Sequence, residues 1–332
     1  MAHGDPRRVL RLNERPEPVP GAGEVLLDSE GFGLNYADTM AVRGLYRDAP
    51  SVPCVLGYET VGRVIAVGAG ADPAFLGQRV VAITRFGGYA QRAVADQRAC
   101  AVISSDMPLG VALALATQGC TAWYAARVLC PLRKGERVLV HSAAGGVGRM
   151  LVQLALDQGC EVYAIAGGPE KCAHLAAMGV QHVIDRKAGD PYAALRTALG
   201  GHKLDASFNA VGGSTFKKDM KLLAHGGRLV LYGGAQRGES GLFGTLGFVW
   251  RMGLVVPVFL MMGSRSLLGV NMLRIGESRA DLLAECLKAT VEACREGVLR
   301  PHVHGEYPAA ELPSALQELA SGRTMGKVAV RW

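Results

Sequence analysis

The eight cysteines of this 332-residue chain stand at 54, 100, 120, 130, 160, 172, 286 and 294, and no two of them form a C-x-x-C pair. That spacing excludes a four-cysteine zinc lobe and a C-x-x-C redox motif. Scattered, mostly apolar-flanked thiols fit reduced cysteines of a cytosolic, hence cytoplasmic, protein. Also missing is any run of five or six basic residues, although Lys and Arg outnumber Asp and Glu by 36 to 29, for a formal charge of +7. A nucleic-acid surface is therefore disfavoured, while a mild positive field suits an anionic cofactor or substrate. The N-terminal residues carry no apolar stretch of the kind a secretory signal needs. There is no internal repeat.

What is present is ample apolar material: 49% hydrophobic residues and a mean hydropathy of +0.19, enough for one large or two ordinary packed domains. Residues 1 to 24 are polar and proline-rich. Strands are expected at Glu24–Leu27, Gly57–Val67 and Arg79–Thr84, with a loop and short helix over Asn35–Tyr46, and together these read as a small β-rich module. From about residue 110 the pattern changes to helices alternating with strands: a helical run at 109–129, then strands at 138–141, 162–166, 182–184, 205–209, 228–232 and 267–270. That alternation predicts an α/β doubly wound parallel sheet. A helix (Ser278–Glu296), a basic segment (Arg300–His304), a second helix (Ala309–Ala320) and a last strand (Lys327–Trp332) complete the pattern.

The stretch from 138 to 171 carries the chemistry. Val138-Leu139-Val140 reads as a buried parallel strand, His141 to Gly148 as a tight Ala/Gly turn, and Gly148 onward as a helix with Met150, Leu151, Leu154 and Ala155 on one face. Val162 to Ala166 is a second buried strand. A strand, small-residue turn, helix and strand hold a dinucleotide: the backbone can approach a pyrophosphate, and the helix N-terminus faces its negative charge. NAD-binding units usually end the second strand with Asp or Glu for the ribose hydroxyls. Here it ends Ala166-Gly167-Gly168, with Lys171 one turn later and Arg186 after the next apolar run. Two cations and no acid at that place argue for a 2′-phosphate, hence NADP. The competing reading makes Lys171 and Arg186 ordinary solvated surface charges.

Residues 242 to 263 form the odd segment, LFGTLGFVWRMGLVVPVFLMMG, with Arg251 as its single charge. It is nearly long enough to span a bilayer. A mid-segment arginine, at a cost of about 2.5–3.5 kcal/mol, together with Pro257 and interior glycines, disfavours that. The expectation is a buried lid or subunit contact lining a substrate pocket.

The motifs together resemble a family. Arg15-Pro16-x-Pro18-x-Pro20, Leu34-Asn35-Tyr36-Ala37-Asp38, Gly44-Leu45-Tyr46, Gly57-Tyr58-Glu59, Gly62-x-Val64-x-x-Val67-Gly68, Gly87-Gly88-Tyr89-Ala90, Thr121-Ala122-Trp123-Tyr124, His141 to Gly148, Gly226-Gly227-Arg228 and Gly326-Lys327 run nearly end to end. In number and order they resemble the zinc-independent medium-chain dehydrogenase/reductases, with the nearest likeness to the quinone oxidoreductase branch and the vesicle amine transport protein homologues. The resemblance implies a GroES-like catalytic domain built from residues 1–115 and 272–332, a Rossmann domain at 116–271 that binds NADPH, and a homodimer. It carries cofactor contacts to Asn35, Thr121, Ala144, Gly145, Gly146, Val147, Gly167, Lys171, Arg186, Asn209, Tyr232 and Asn271. Asn35 would face the nicotinamide and Tyr46 the substrate, as the catalytic pair. The competing role for Asn209 and Asn271 is local turn or packing work, and for Tyr46 a ring that walls the pocket.

Two departures from the family matter. Zinc-dependent relatives carry a His metal ligand between the residues matching Gly57 and Glu59, where this chain has Tyr58, and no Cys stands near Asn35. No metal is therefore expected to polarise a carbonyl. The strand that usually opens the family is nearly missing, since only Met1 to Asp5 precede the matching region. The expected activity is transfer of hydride from NADPH to a quinone or to the activated C=C of an enone or enoyl thioester such as an enoyl-CoA. A protein that binds NADPH without turnover, or an adaptor at a membrane, is the alternative.

Overall fold

The structure, a computed structural model, describes residues 3–235 and 241–332, and only the backbone of residues 241–243 and 245. Its contacts divide the chain into two units: Met1–Cys120 with Met272–Trp332, and Thr121–Asn271. The first unit opens with strands β1 (Glu24–Leu34), β2 (Glu59–Val67), β3 (Arg79–Ile83), β4 (Arg92–Asp96) and β5 (Cys100–Val102). The second contains β6 (Arg137–His141), β7 (Glu161–Ala166), β8 (His182–Asp185), β9 (Leu204–Asn209), β10 (Leu223–Leu231) and β11 (Ser266–Gly269). The chain then returns to the first unit for β12 (Val303–Pro308) and β13 (Lys327–Arg331).

In the first unit the sheet runs β12-β13-β1-β2-β3-β5, with β4 also paired to β1. Strand β1 is the organiser, because it serves two cores. Its first half lends Val25 and Leu27 to a cluster with Val64, Val80, Ala82 and Ala95. Its second half lends Phe32 and Leu34 to another, with Val328 and Val330 of β13, Val42 and Leu316. The antiparallel register sets Phe32 opposite Val330 and Leu34 opposite Val328, so one apolar face is continuous across segments far apart in sequence. At Gly31 a Cβ would sit 2.3 Å from the carbonyl oxygen of Val330, so this close pairing needs a residue without a side chain.

In the second unit six parallel strands run β11-β10-β9-β6-β7-β8. This is the doubly wound order, in which the chain reverses direction between β6 and β9 and ligands lie beyond the carboxyl ends of those strands. Val138, Leu139 and Val140 of β6 are wholly buried, as a strand covered on both faces requires. The helix Gly146–Asp157 buries Met150, Leu151, Leu154 and Ala155, one face of a 3.6-residue period.

Three short strands, β4, β5 and β12, escape the sequence pattern, as do the helices Pro169–Ala177, Pro191–Leu199 and Ser214–Leu222. The helical run at 109–129 is α-helical at Leu109–Ala114 and Cys120–Trp123 and wound as π-helix at Leu115–Gly119 and Tyr124–Leu129. The largest difference concerns 242–263. It forms two helices, Gly241–Met252 and Pro257–Gly263; Met252 packs against the core and Phe248 lies over Gly212, but most of its described side chains are on the surface of the chain: Trp250 is 84% exposed, Leu254 96% and Met261 75%. The side chains of residues 242, 243 and 245 lie outside the described residues. A buried lid is thus corrected to an exposed apolar surface. Periodicity alone could not separate the two, because an all-round apolar stretch has no polar face to mark the solvent side.

Candidate active site

The chemistry-bearing residues form one group in each unit. In the second unit the group stands at the carboxyl ends of β6, β7 and β9. After His141 the backbone turns through Ser142, whose φ of 50° is left-handed, and Gly145 then caps the helix Gly146–Asp157. A Cβ on Gly148 would fall 2.3 Å from the Ser142 carbonyl oxygen, so the turn closes only around glycine. Gly145, Gly146 and Val147 remain partly open, while Ala143 and Ala144 are buried beneath them. The first turn of a twelve-residue helix is therefore partly exposed, an arrangement suited to a pyrophosphate.

At the end of β7, Gly167 lies beneath Arg186. A Cβ there would come 2.9 Å from the guanidinium Nε, so any larger residue would displace that side chain. Lys171 rises from the first turn of the next helix, Pro169–Ala177. Its pKa is lowered by burial and by the charges of Arg186 and Lys187, which outweigh the opposing pull of Glu170. Three cations thus crowd one place, and a carboxylate stands with them: Asp185 Oδ1 accepts the backbone N–H groups of Gly168 and Lys187, both at 2.8 Å, and these bonds with the charges of Lys187 and Arg186 lower its pKa, so the acid that the end of β7 itself lacks is supplied from β8. Lys187 and the engaged Asp185 were missed in the sequence, where an Asp at the end of β8 next to two basic residues was the available signal.

The floor of this site is a buried network around Asp219. Its carboxylate accepts from Tyr192 Oη (2.6 Å), Ser207 Oγ (2.9 Å) and Asn209 Nδ2 (2.6 Å), and it contacts His141 Nε2 at 3.0 Å. Burial works to raise the pKa of Asp219, but the charge of His141 and these hydrogen bonds hold it below the usual carboxylate value. Asn209 is wholly buried; its Oδ1 accepts the N–H groups of Val211 and Gly212, both at 2.8 Å, so the side chain shapes the 209–212 turn. Tyr232 donates to the His141 carbonyl at 3.3 Å. Thr121 is buried at the start of the unit and Asn271 is exposed at its end.

In the first unit the group surrounds Asn35, which precedes the helix Tyr36–Val42 and is 6% exposed. Its Nδ2 donates to Glu59 Oε1 at 2.9 Å, and its Oδ1 accepts from Lys327 Nζ at 3.2 Å. Glu59 and Lys327 form an ion pair, and both are wholly buried. The pair is fully served: Glu59 Oε2 accepts the Thr117 N–H at 3.0 Å, and Lys327 also donates to the Leu34 carbonyl at 3.2 Å. Gly33 makes room, since a Cβ there would lie 2.1 Å from Glu59 Oε1. Asn35, taken from the sequence as a site residue, is thus fixed by two residues that sequence reading had matched only as family motif positions.

Tyr46 is half-buried, and its ring stands edge-on to that of Tyr58, with centroids 6.1 Å apart. Burial and the Asp48 carboxylate raise the pKa of the Tyr46 phenol. Tyr58 packs in turn on Phe86, at 5.2 Å between centroids. Among the described residues no group of three or more His, Cys, Asp or Glu is placed to hold a metal ion.

Residues 21–131 match the alcohol dehydrogenase GroES-like domain, and residues 146–288 match the family described as zinc-binding dehydrogenase. The structure superposes on the quinone oxidoreductase from Thermus thermophilus, solved alone and in complex with NADPH, with a TM-score of 0.79 and 30% identity, covering 97% of this chain and 96% of that one. The chain belongs to the medium-chain dehydrogenase/reductase family. Within this family it falls in the zinc-independent branch, with a GroES-like domain joined to a Rossmann domain. The human synaptic vesicle membrane protein VAT-1 homolog is 29% identical over 96% of this chain and 82% of its own length. A mycocerosic acid synthase-like polyketide synthase of Mycobacterium tuberculosis is 28% identical over 93% of this chain, which spans 14% of that much longer protein.

Proposed function

We propose that this medium-chain reductase uses NADPH to deliver hydride to a quinone or to the activated C=C bond of an enone or an enoyl thioester such as an enoyl-CoA. The observation that carries the reading is the cluster of Lys171, Arg186 and Lys187 at the end of β7, three cations beside the two carboxylates of Asp185 and Glu170, which leaves a net positive place suited to an added anion. Ala144 to Val147 would hold the pyrophosphate at the helix N-terminus, Gly167, Lys171 and Arg186 the 2′-phosphate end, and Thr121, Tyr232 and Asn271 the remaining edges of the cofactor. Asn209 acts through the 209–212 turn that its side chain fixes. The bound dinucleotide supplies hydride.

The chain's own residues do the rest. Asn35, whose amide is fixed by Glu59 and Lys327, is the residue that would face the nicotinamide. When hydride adds to the β-carbon of a conjugated acceptor, negative charge grows on the carbonyl oxygen, and a nearby hydroxyl lowers the barrier. Tyr46 is that hydroxyl: its raised pKa keeps it protonated at neutral pH, so it can donate a hydrogen bond and then a proton. Following NADPH consumption with a panel of quinones, enones and enoyl-CoA esters tests the reading, and a chain that turns over none of them refutes it. Tyr46→Phe should lower turnover of an enone or enoyl thioester about 100-fold, with NADPH affinity hardly changed. We assign the protein to the cytoplasm and to a homodimer.

A second reading has one observation in its favour. The exposed apolar surface of Leu246–Gly263, with a mean hydropathy of 1.7, is by length and composition a candidate membrane span. An adaptor at a membrane would partition with vesicles and consume no NADPH with any acceptor.

A further inference from the structure

One surface of the second unit has no part in the hydride chemistry. The helix Gly241–Met252 has an inner and an outer side. Phe248 and Met252, four residues apart, face inward: a Cβ on Gly212 would fall 2.7 Å from the Phe248 ring, and Met252 packs on the core around Leu139 and Phe216. Leu246, Val249 and Trp250, three and four residues apart, share the outer side. Together with Leu254, Phe259 and Met262 they are each more than half exposed. So large an apolar patch on the outside of a packed unit marks a place of contact.

The rim of the patch is basic. A Cβ on Gly253 would lie 2.6 Å from Lys217 Nζ, so that ammonium sits beside the turn that carries Leu254. Lys221 lies on the same face of the helix Ser214–Leu222, and its carbonyl accepts from Lys203 Nζ at 3.1 Å. All three lysines are exposed, whereas Asp219, the acid of that helix, is wholly buried. At the end of the helix Pro257–Gly263, His225 Nδ1 donates to the Gly263 carbonyl at 2.9 Å, and Arg265 donates to the Leu223 carbonyl at 3.0 Å. From Gly241 to Asn271 the sequence holds Arg251 and Arg265 and no Asp or Glu.

We propose that this surface docks the protein on a lipid leaflet rich in anionic headgroups. The outer side chains enter the headgroup boundary, and Lys203, Lys217 and Lys221 meet the negative headgroups around them. The segment lies along the leaflet and does not cross it. A twelve-residue helix is about 18 Å long against a hydrocarbon core of about 30 Å, residues 253–256 interrupt the helical winding, and Phe248 and Met252 hold the inner side to the protein. Trp250 suits that depth, being apolar in body with a polar N–H, and the long stem of Arg251 lets its charge reach the headgroups. Charge argues against a second copy as the occupant: a twofold contact would set these lysines against their equivalents, with no acid in the segment to meet them. Docking and catalysis coexist in this arrangement, so a lipophilic acceptor is taken from the leaflet that holds the enzyme. That last step rests on the reductase reading; the docking does not.

The test sediments the full chain with vesicles of phosphatidylcholine alone and of phosphatidylcholine mixed equally with phosphatidylserine. A lysine near an anionic leaflet is worth about fivefold in binding, so the mixed vesicles should bind about 100-fold tighter, and raised salt should remove most of that difference. Lys203→Gln, Lys217→Gln and Lys221→Gln together should weaken binding to the mixed vesicles by about 10- to 100-fold and leave the neutral ones unchanged. Trp250→Glu with Phe259→Glu, both exposed positions, should abolish binding to either vesicle at an unchanged melting temperature. Glycerophosphoserine, the headgroup without acyl chains, should not compete. Equal binding to both vesicles, or sedimentation that survives the two Glu substitutions, overturns the proposal. So does a chain that stays off vesicles and forms a dimer that those two substitutions split, which would give the face to a second copy. Vesicle binding by a protein that turns over no acceptor upholds the docking and refutes the reductase reading.

Discussion

Removing Arg186 should have opposite effects on the empty and the loaded protein. In the empty protein, Arg186 and Lys187 repel Lys171 and help lower its pKa. Arg186→Ala relieves that repulsion, so the melting temperature without cofactor should stay level or rise slightly. With NADPH the same guanidinium gains a charge-assisted contact to phosphate, worth roughly 1.5–3 kcal/mol. At about 1.4 kcal/mol per decade this is roughly a 10- to 150-fold rise in the Kd for NADPH. NADH lacks the 2′-phosphate, and its Kd should move less than threefold. Adding Lys171→Ala should weaken NADPH further, but by less than the product of the single effects, because both cations serve one phosphate. Titration calorimetry with both nucleotides on wild type, single and double variants provides the assay. Equal losses for NADH and NADPH, or a wild type that prefers NADH, would refute the reasoning, and so would an empty protein markedly destabilised by Arg186→Ala.

Other consequences are open to measurement. Lys327→Met strands the buried Glu59 carboxylate and should cost about 3–5 kcal/mol in denaturant unfolding. Adding Glu59→Gln should recover most of that, and losses that simply add in the double variant would show that the pair is not coupled. Asp38, whose folded pKa of about 7 lies above its unfolded value, contributes stability that is present in full below about pH 4 and lost as pH rises through 7. Asp38→Asn should therefore gain on wild type across that window, by an amount on the order of 2–4 kcal/mol, and a constant difference from pH 4 to 7.5 would contradict the buried carboxyl. Purified protein should contain far less than one zinc per chain, and chelators should leave turnover unchanged. A stoichiometric zinc required for activity would show that Tyr58 in place of a His does not abolish metal binding.

The nucleotide unit was legible in the sequence because its constraints are local. A buried β6, a turn that closes only on Gly148, and a helix with one apolar face each leave a mark within a dozen residues. Lys171 and Arg186 could be read for the same reason, since the end of β7 is a fixed place in such a unit. The pairing of Glu59 with Lys327 was not legible. Its partners lie 268 residues apart, and only the assembly of β1, β2 and β13 brings them together over Gly33. The same holds for Asp38, whose place three residues after Asn35 marks a helix cap, while its burial beside Tyr89 is set by tertiary packing. Strand β5, of three residues, is too short for alternation to stand out. The exposure of Trp250 and Leu254 contradicts what their hydrophobicity implies, and no pattern in their neighbours signals it.

The interleaving of the two units has a consequence for synthesis. Leu34 and its partner Lys327 leave the ribosome 293 residues apart, an interval of about 15–60 s at ordinary translation rates. During that time the entire second unit, Thr121–Asn271, emerges and has what it needs to fold, while the first unit waits for β13. The half of β1 that carries Phe32 and Leu34 stays an open apolar edge, and Glu59 has no cation to meet it. A nascent chain stalled beyond residue 271 therefore pairs a finished nucleotide fold with an unsealed sheet. That is the state in which chaperones should find it, and in which a truncated product should aggregate rather than accumulate as a free N-terminal domain.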